Sequence, residues 1–295
     1  MRRFRCVRCN KTFSEAQPLD GLRVDFEKAC QVVHLLCESM GVRAISRFTG
    51  LDTKTILSIL ETAGQKAAAF LDAKVRDFNA EQVQVDELIN FVYSRGQNTP
   101  HEDRERGDFA TFLSIDRASK FIINWRVGKH NREEAVSFLS DLRARVPNRF
   151  QLTTDGWQIY SGYTGTVREV FGTNIDYATE IKHFGRHNPA AGWRLSPMKL
   201  IAVTRSRKIN RPRMSQATTS HAERTNLSVR TFNRRFTRCT IGYSKKLENL
   251  KHAVALFAWH FNYVRPHSAH GLTPAQSAKL TENPMTIEDL LGCTI

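Results

Sequence analysis

The sequence predicts an α/β protein, a mixed sheet flanked by helices and preceded by a small helical domain. Three observations predict it. Apolar residues recur at helical spacing up to about residue 79, and from residue 82 the period changes to that of strands. The strand-period segments then follow in the order β-β-β-α-β. An aspartate lies inside the first of these strands and another closes the fourth.

At the N-terminus, Cys6-Val7-Arg8-Cys9 has the spacing of one zinc knuckle, half of a tetrahedral thiolate site, with no second CxxC before it. Residues 1–20 therefore read as a partial zinc-ribbon remnant, with zinc binding by Cys6 and Cys9 as the alternative. Over residues 24–40, Phe26, Ala29, Cys30, Val33, Leu36, Cys37 and Met40 fall on one helical face. A short helix carrying Val42, Ala44, Ile45 and Phe48 follows. Thr49-Gly50-Leu51 makes a tight turn, and Asp52 is placed to cap a second helix that sends Ile56, Ile59 and Leu60 inward. Two short helices joined through a glycine turn match a helix-turn-helix over residues 21–64. Its outward residues Thr53, Lys54, Thr55 and Ser58 are then candidates for the major groove; the alternative is an ordinary helical hairpin. Residues 65–80 are Ala-rich and read as a helical connector.

Residues 82–93, 108–116 and 121–127 read as a three-strand meander, 131–146 as a helix stopped before Pro147, and 150–154 as a returning strand. A meander, a helix and a return place the fourth strand beside the first, so Asp86 and Asp155 are expected side by side. A carboxylate flanked by apolar residues, as in VQVDELI, is costly unless paired or bound to a cation. Two such acids repel, and a divalent cation removes the conflict. Residues 176–182 and 200–204 read as further strands, 183–197 as a loop, and 205–213 as a basic run along which DNA is expected to lie. His183 and His187, set among Gly and Pro, are not expected to bind zinc. A helix is expected from a Ser244 cap to Tyr263 as core support. His260, His267 and His270 are read as solvated or DNA-facing, and residues 266–295 as a C-terminal tail with short helices near Thr273 and Thr286.

The chain has 44 Lys and Arg against 29 Asp and Glu, a net +15 with pI near 9.9, so a polyanion is the expected partner. Nucleic acid comes first. A membrane surface comes second, but there is no apolar run near 18 residues and no signal-peptide core, so the protein is expected in the cytoplasm, associated with the nucleoid. The six cysteines are expected to be mostly reduced thiols. Within residues 216–238, Glu223 is the single acid among Arg224, Arg230, Arg234, Arg235 and Arg238. An acid kept in a basic run suggests a group that meets a metal ion while its neighbours meet phosphates. Glu223 is thus the candidate third carboxylate, and Arg224, Arg230, Arg234 and Arg235 are candidates for DNA; the alternative is a solvated basic helix.

VDEL around Asp86, TTDGW around Asp155 and TSHAERTNLSVR around Glu223, followed by RRFTR, GYSKKLEN and HFNYVRPH, resemble transposases of the insertion sequence IS1 family. The resemblance runs from the helix-turn-helix to about Ala278, and the third motif is its most specific part. It implies an RNase H-like fold over residues 81–265 with a DDE triad at Asp86, Asp155 and Glu223. It also implies that Arg230, seven residues after Glu223, contacts DNA near the cleaved end. One departure is that the family's N-terminal zinc ribbon is represented only by its second knuckle. The implied activity is DNA cleavage at the element's ends and transfer of the 3′-hydroxyl into target DNA. It requires two Mg²⁺ (or Mn²⁺) ions on the three acids, and a homo-oligomer on double-stranded DNA is expected. The rival expectations are a catalytically inactive helix-turn-helix protein and an RNase H-type nuclease.

Overall fold

The computed structural model describes residues 3–14, 18–19, 21–186, 198–238 and 240–293. The chain begins with a hairpin of β1 (Arg3–Arg5) and β2 (Thr12–Ser14), antiparallel with Arg5 opposite Thr12. Cys6 and Cys9 lie in its turn, where the Cys6 amide donates to the Lys11 carbonyl (2.8 Å) and the Cys6 carbonyl accepts from Asn10 (2.9 Å). The Cys6 thiol is drawn below its ordinary pKa by hydrogen bonds from the backbone of Cys9 and Arg8. Among the described residues no third ligand joins the pair in a metal-binding group.

Helix α1 (Phe26–Cys37) is capped by Asp25, and α2 (Val42–Thr49) stops at Gly50, whose φ of 72° is a left-handed conformation that glycine tolerates at no steric cost. Asp52 caps α3 (Thr53–Lys74) as its sequence position predicts, accepting from the Lys54 amide at 2.8 Å. Helix α3 does not end where the connector was expected to begin. It runs unbroken for 22 residues, and Gly64 serves a different purpose from a boundary. A Cβ on Gly64 would lie 2.6 Å from the Cα of His252, so the missing side chain lets α3 cross α8 (Leu247–Tyr263) at backbone contact.

The sheet has the order β5-β4-β3-β6-β7-β8. Strands β3 (Gln82–Val92), β4 (Gly107–Asp116) and β5 (Ile122–Gly128) form the antiparallel meander. The chain then passes through α4 (Arg132–Arg145) and returns as β6 (Gln151–Thr154), parallel to β3 on its free side. Two short helices the sequence reading did not assign, α5 (Gln158–Ser161) and α6 (Thr166–Phe171), lead to β7 (Asp176–Arg186), parallel to β6. β8 (Met198–Ile209) closes antiparallel on β7. Three antiparallel strands followed by parallel strands on the opposite side of the first make this an RNase H-like mixed sheet flanked by helices. Both β7 and β8 exceed their expected lengths, and the remainder of the expected loop, 187–197 with His187, lies outside the described residues.

One apolar core joins the N-terminal helices to the sheet. Arg145 at the end of α4 is buried and binds Asp141 (2.8 Å), Asp72 (2.9 Å) and the carbonyls of Leu71 and Val75, tying α4 to the end of α3. α8 was expected to bury one face, but residues 253–263 are buried without interruption, because α3 covers one side and β5 the other. Its cap is Lys246, not Ser244, whose hydroxyl instead accepts from Arg235. His260, expected at solvent or DNA, is buried, and burial pushes its imidazole down to about 4.

The two C-terminal helices are also packed. α9 (Pro274–Ser277) and α10 (Ile287–Gly292) follow, and α10 buries Ile287, Leu290 and Leu291 against α1 and α3. The buried Lys66 ammonium holds the carbonyls of Leu291 (2.9 Å) and Cys293, a cation at the negative end of α10. The five described cysteines are free, and no helix among the described residues is long and apolar enough to cross a membrane.

Candidate metal centre

Strands β3 and β6 pair over only three residues, ending with Gln84 opposite Thr153. Two positions on, β6 has ended and Asp86 and Asp155 emerge beside each other, although 155 − 86 = 69 residues separate them along the chain. The Asp155 carboxylate accepts from the Trp157 amide (2.9 Å), which fixes the turn after β6. Because β6 stops there, the edge of β3 is open and Glu87 reaches the same place from the other face of the sheet. Ligand oxygens of Asp86, Glu87 and Asp155 all lie within 4.8 Å of one another. Sequence reasoning passed over Glu87, since neighbours on a strand point to opposite faces. The signal was there in the second acid of VDEL.

Burial raises Asp86 to about 6, helped by the charges of Asp155 and Glu223 and opposed by the Glu87 amide and Asn226. Burial likewise raises Glu87 to about 8, helped by Asp155 and Asp86 and opposed by the hydrogen bond from the Tyr160 hydroxyl. The protein holds these carboxyls where ionisation is expensive, and a hard divalent cation would relieve that cost with its preferred oxygen donors. The donor set, three carboxylates, fits a hard divalent cation.

Helix α7 (Ser220–Phe232) lies over this end of β3. The Gln84 carbonyl oxygen Oε1 accepts from the amides of His221 (2.9 Å) and Ala222 (3.1 Å), and the buried Glu180 accepts from the Thr219 amide (2.9 Å). One turn further, Asn226 Nδ2 donates to Asp86 Oδ2 (2.7 Å), while its buried Oδ1 has no hydrogen-bond partner. Glu223 stands apart from the cluster. Its Oε2 meets Lys182 Nζ at 2.6 Å and its Oε1 accepts from Thr219 Oγ1 at 3.0 Å, yet its charge is near enough to raise Asp86. The structure therefore brings Asp86 and Asp155 together, adds Glu87, and turns Glu223 toward a lysine.

The expected DNA contacts divide in the same way. Lys54, Arg224 and Arg234 are exposed, while Thr53, Thr55, Ser58 and Arg230 are half-buried. Thr53 faces a cavity of about 940 Å³ between the N-terminal helices and α8. Arg230 lies within the field of Asp86. Arg235 corrects the expectation for the basic run: it turns inward, donates to Ser244 Oγ (3.0 Å), and is pushed down to about 10 by burial. In 205–213, Arg205 is paired with Glu180 at 2.9 Å. His183 shares a hydrogen bond with Thr204 Oγ1 (2.9 Å).

The raised carboxyls make stability depend on pH. A carboxyl whose folded pKa exceeds its unfolded value contributes stability that is fully present below the unfolded value and lost as pH rises through the folded one. For Glu87 that loss spans roughly pH 4.5 to 8 and for Asp86 roughly pH 4 to 6. His260 has the opposite sign, losing stability as pH falls from 6.5 toward 4, so the acids are isolated above pH 6.5. Glu87→Gln is expected to flatten the fall in denaturation midpoint between pH 6.5 and 8.5 in metal-free buffer. A profile matching wild type would mean that Glu87 titrates normally.

No protein-family model matches the chain, and no curated protein does. Among solved structures, a chain of the simian T-cell lymphotropic virus intasome in complex with PP2A regulatory subunit B56 gamma is 16% identical with a TM-score of 0.36. The match covers 88% of this chain and 77% of that one. A chain of the piggyBac transposase synaptic complex with hairpin DNA is 9% identical with a TM-score of 0.37, covering 91% and 71%. The Mos1 strand transfer complex is 13% identical with a TM-score of 0.24, covering 56% of this chain and 59% of that chain.

Proposed function

We propose that the protein is a DNA transposase of an insertion sequence, similar to the IS1 family, that cuts DNA at the element's ends and joins the freed 3′-hydroxyl to target DNA. The observation that carries this reading is the convergence of Asp86 and Asp155, with Glu87, at the mouth of the sheet beneath a basic helix. Asp86, Asp155 and Glu223 are the proposed ligands of two Mg²⁺ or Mn²⁺ ions. When bound, such ions activate a water or hydroxyl nucleophile and offset the charge gathering on the phosphodiester. The residues of the chain do the rest. Asn226 holds one oxygen of Asp86 and the Trp157 amide one oxygen of Asp155, which fixes how the two carboxylates are presented. Arg230, on the Asp86 side of α7, meets the phosphate beside the cut. Glu223, half-exposed, leaves Lys182 to join the other two acids, and Lys182 is released toward the DNA backbone. The exposed Lys54, with Thr53, Thr55 and Ser58, reads the terminal sequence, and Arg224 and Arg234 hold backbone phosphates. A second copy on the paired end makes the assembly a homo-oligomer.

Because Glu223 is held by Lys182, one other reading has an observation in its favour: a DNA-binding protein that does not cut. The full chain incubated with duplex carrying the element's ends separates the two. The transposase reading expects nicks with free 3′-hydroxyls and strand-transfer products in Mg²⁺ and neither in EDTA. Binding to those ends with no Mg²⁺-dependent product would leave the non-catalytic reading standing.

A further inference from the structure

β6 pairs with β7 only as far as Thr179, so the rest of β7 and the facing part of β8 leave the sheet as a free two-stranded ribbon. Its surface is unlike a normal strand edge. Ile181, Phe184, Met198, Leu200, Ile201 and Val203 are all exposed, with Ile201 at 71%, Met198 at 60% and Phe184 at 53%. Natural edges seldom present such side chains in a contiguous patch unless something covers them.

Pairing shows how the patch is arranged. Lys182 is opposite Val203 and Phe184 opposite Leu200, and the next pair on that face contains Met198. Cross-strand partners share a face. One apolar stripe therefore continues directly from Lys182, the residue that meets Glu223, outward along the ribbon. At the irregularity between His183 and Phe184, Ile201 folds across Gly185, where an added Cβ would lie 2.1 Å from its Cδ1. Unpaired cations lie along the same strand: Lys199 on the ribbon itself, and Arg207 and Lys208 at its base, where β8 still lies on the sheet, are exposed and have no acidic partner among the described residues. The ribbon's one described acid, Glu180, is buried and already satisfied by Arg205 and Thr219.

We propose that this ribbon is a DNA arm. It lies against the duplex next to the phosphate held at the acids, Lys199 on the ribbon and Arg207 and Lys208 at its base meeting backbone phosphates, and Phe184, Leu200 and Met198 meeting bases. The proposal rests on the transposase reading and adds where the duplex runs. Charge complementarity selects DNA over a second copy of this +15 chain. A two-stranded β-ribbon also matches the width of the major groove, and apolar side chains inserted at base steps are an established way to unstack them.

The test uses the full chain and a duplex of the element's end with 2-aminopurine placed near the cleaved step. Lys199→Glu with Arg207→Glu and Lys208→Glu is expected to weaken binding at least tenfold and to reduce the salt slope by about 2–3, one counterion per lost phosphate contact. Phe184→Ser with Leu200→Ser is expected to hold affinity within a few fold and to lose the fluorescence rise that reports unstacking. All five positions are exposed, and melting curves equal to wild type establish that the fold persists. Wild-type affinity and fluorescence in both variants would overturn the arm. So would unchanged DNA binding with a fall in sedimentation mass for the apolar variant, which would give the stripe to a second copy. Failure of the wild-type chain to bind DNA at all would remove the transposase reading as well.

Discussion

Asp86→Asn is expected to lower Mg²⁺-dependent cleavage by on the order of 10³-fold or more, equivalent to about 4 kcal/mol of transition-state stabilisation, and to leave end binding within about twofold. The shape of the side chain is kept. What is lost is the charge that balances a divalent cation, at a place where Asp86 is buried and faces Asp155 and Glu87. Removing one of three crowded carboxylates also relieves repulsion, so the variant should be no less stable than wild type in metal-free buffer. That combination of lost cutting, kept binding and kept stability distinguishes a metal ligand from a core residue. An Asp86→Asn protein that still cuts would remove the acids from the chemistry.

Asn262→Ala is expected to cost about 2–5 kcal/mol of stability. β5 is an edge strand, and its first residue has no strand beyond it. Asn262 on α8 takes that place: its Oδ1 accepts from the Ile122 amide and its Nδ2 donates to the Ile122 carbonyl, both at 2.9 Å, in a position with no solvent exposure. Truncation leaves the buried Ile122 amide and carbonyl without these partners. Denaturant titration reads the loss directly, and a change below about 1 kcal/mol would show that the backbone finds other partners.

The meander, α4 and the short return strand were legible because alternating β-branched residues and a helical stripe leave few other readings, and their order alone puts Asp86 beside Asp155. The rest was hidden for definite reasons. Glu87 joins the cluster because β6 ends early, and no local pattern announces where a neighbouring strand stops. Glu223 is turned by Lys182, 41 residues earlier, on the part of β7 that runs past the end of β6, where exposed Ile181, His183 and Phe184 lack alternation. Gly64 reads as a boundary in sequence, but its reason lies on α8, nearly two hundred residues away. Arg235 reads as surface because its neighbours are cationic, and only the tertiary fold shows that its guanidinium turns inward to Ser244 while Asn90 holds its backbone carbonyl. Between Glu223 and Arg230 the sequence reading passed over Asn226, the residue that touches Asp86.

Helix α3 spans about 33 Å at the rise of an α-helix, opening with Lys54 in solvent and closing where Arg145 ties it to the helix that feeds the strand of Asp155. Between those ends it is pinned by its glycine crossing with α8 and by Lys66 on the terminal helix. No slack element separates the two ends. Under the proposed function, a duplex gripped at the opening of α3 would be measured as against a ruler, and the number of base pairs from gripped sequence to severed bond would become a dimension of the fold. Elements mobilised by such an enzyme would tolerate changes of letter in that interval far better than changes of length.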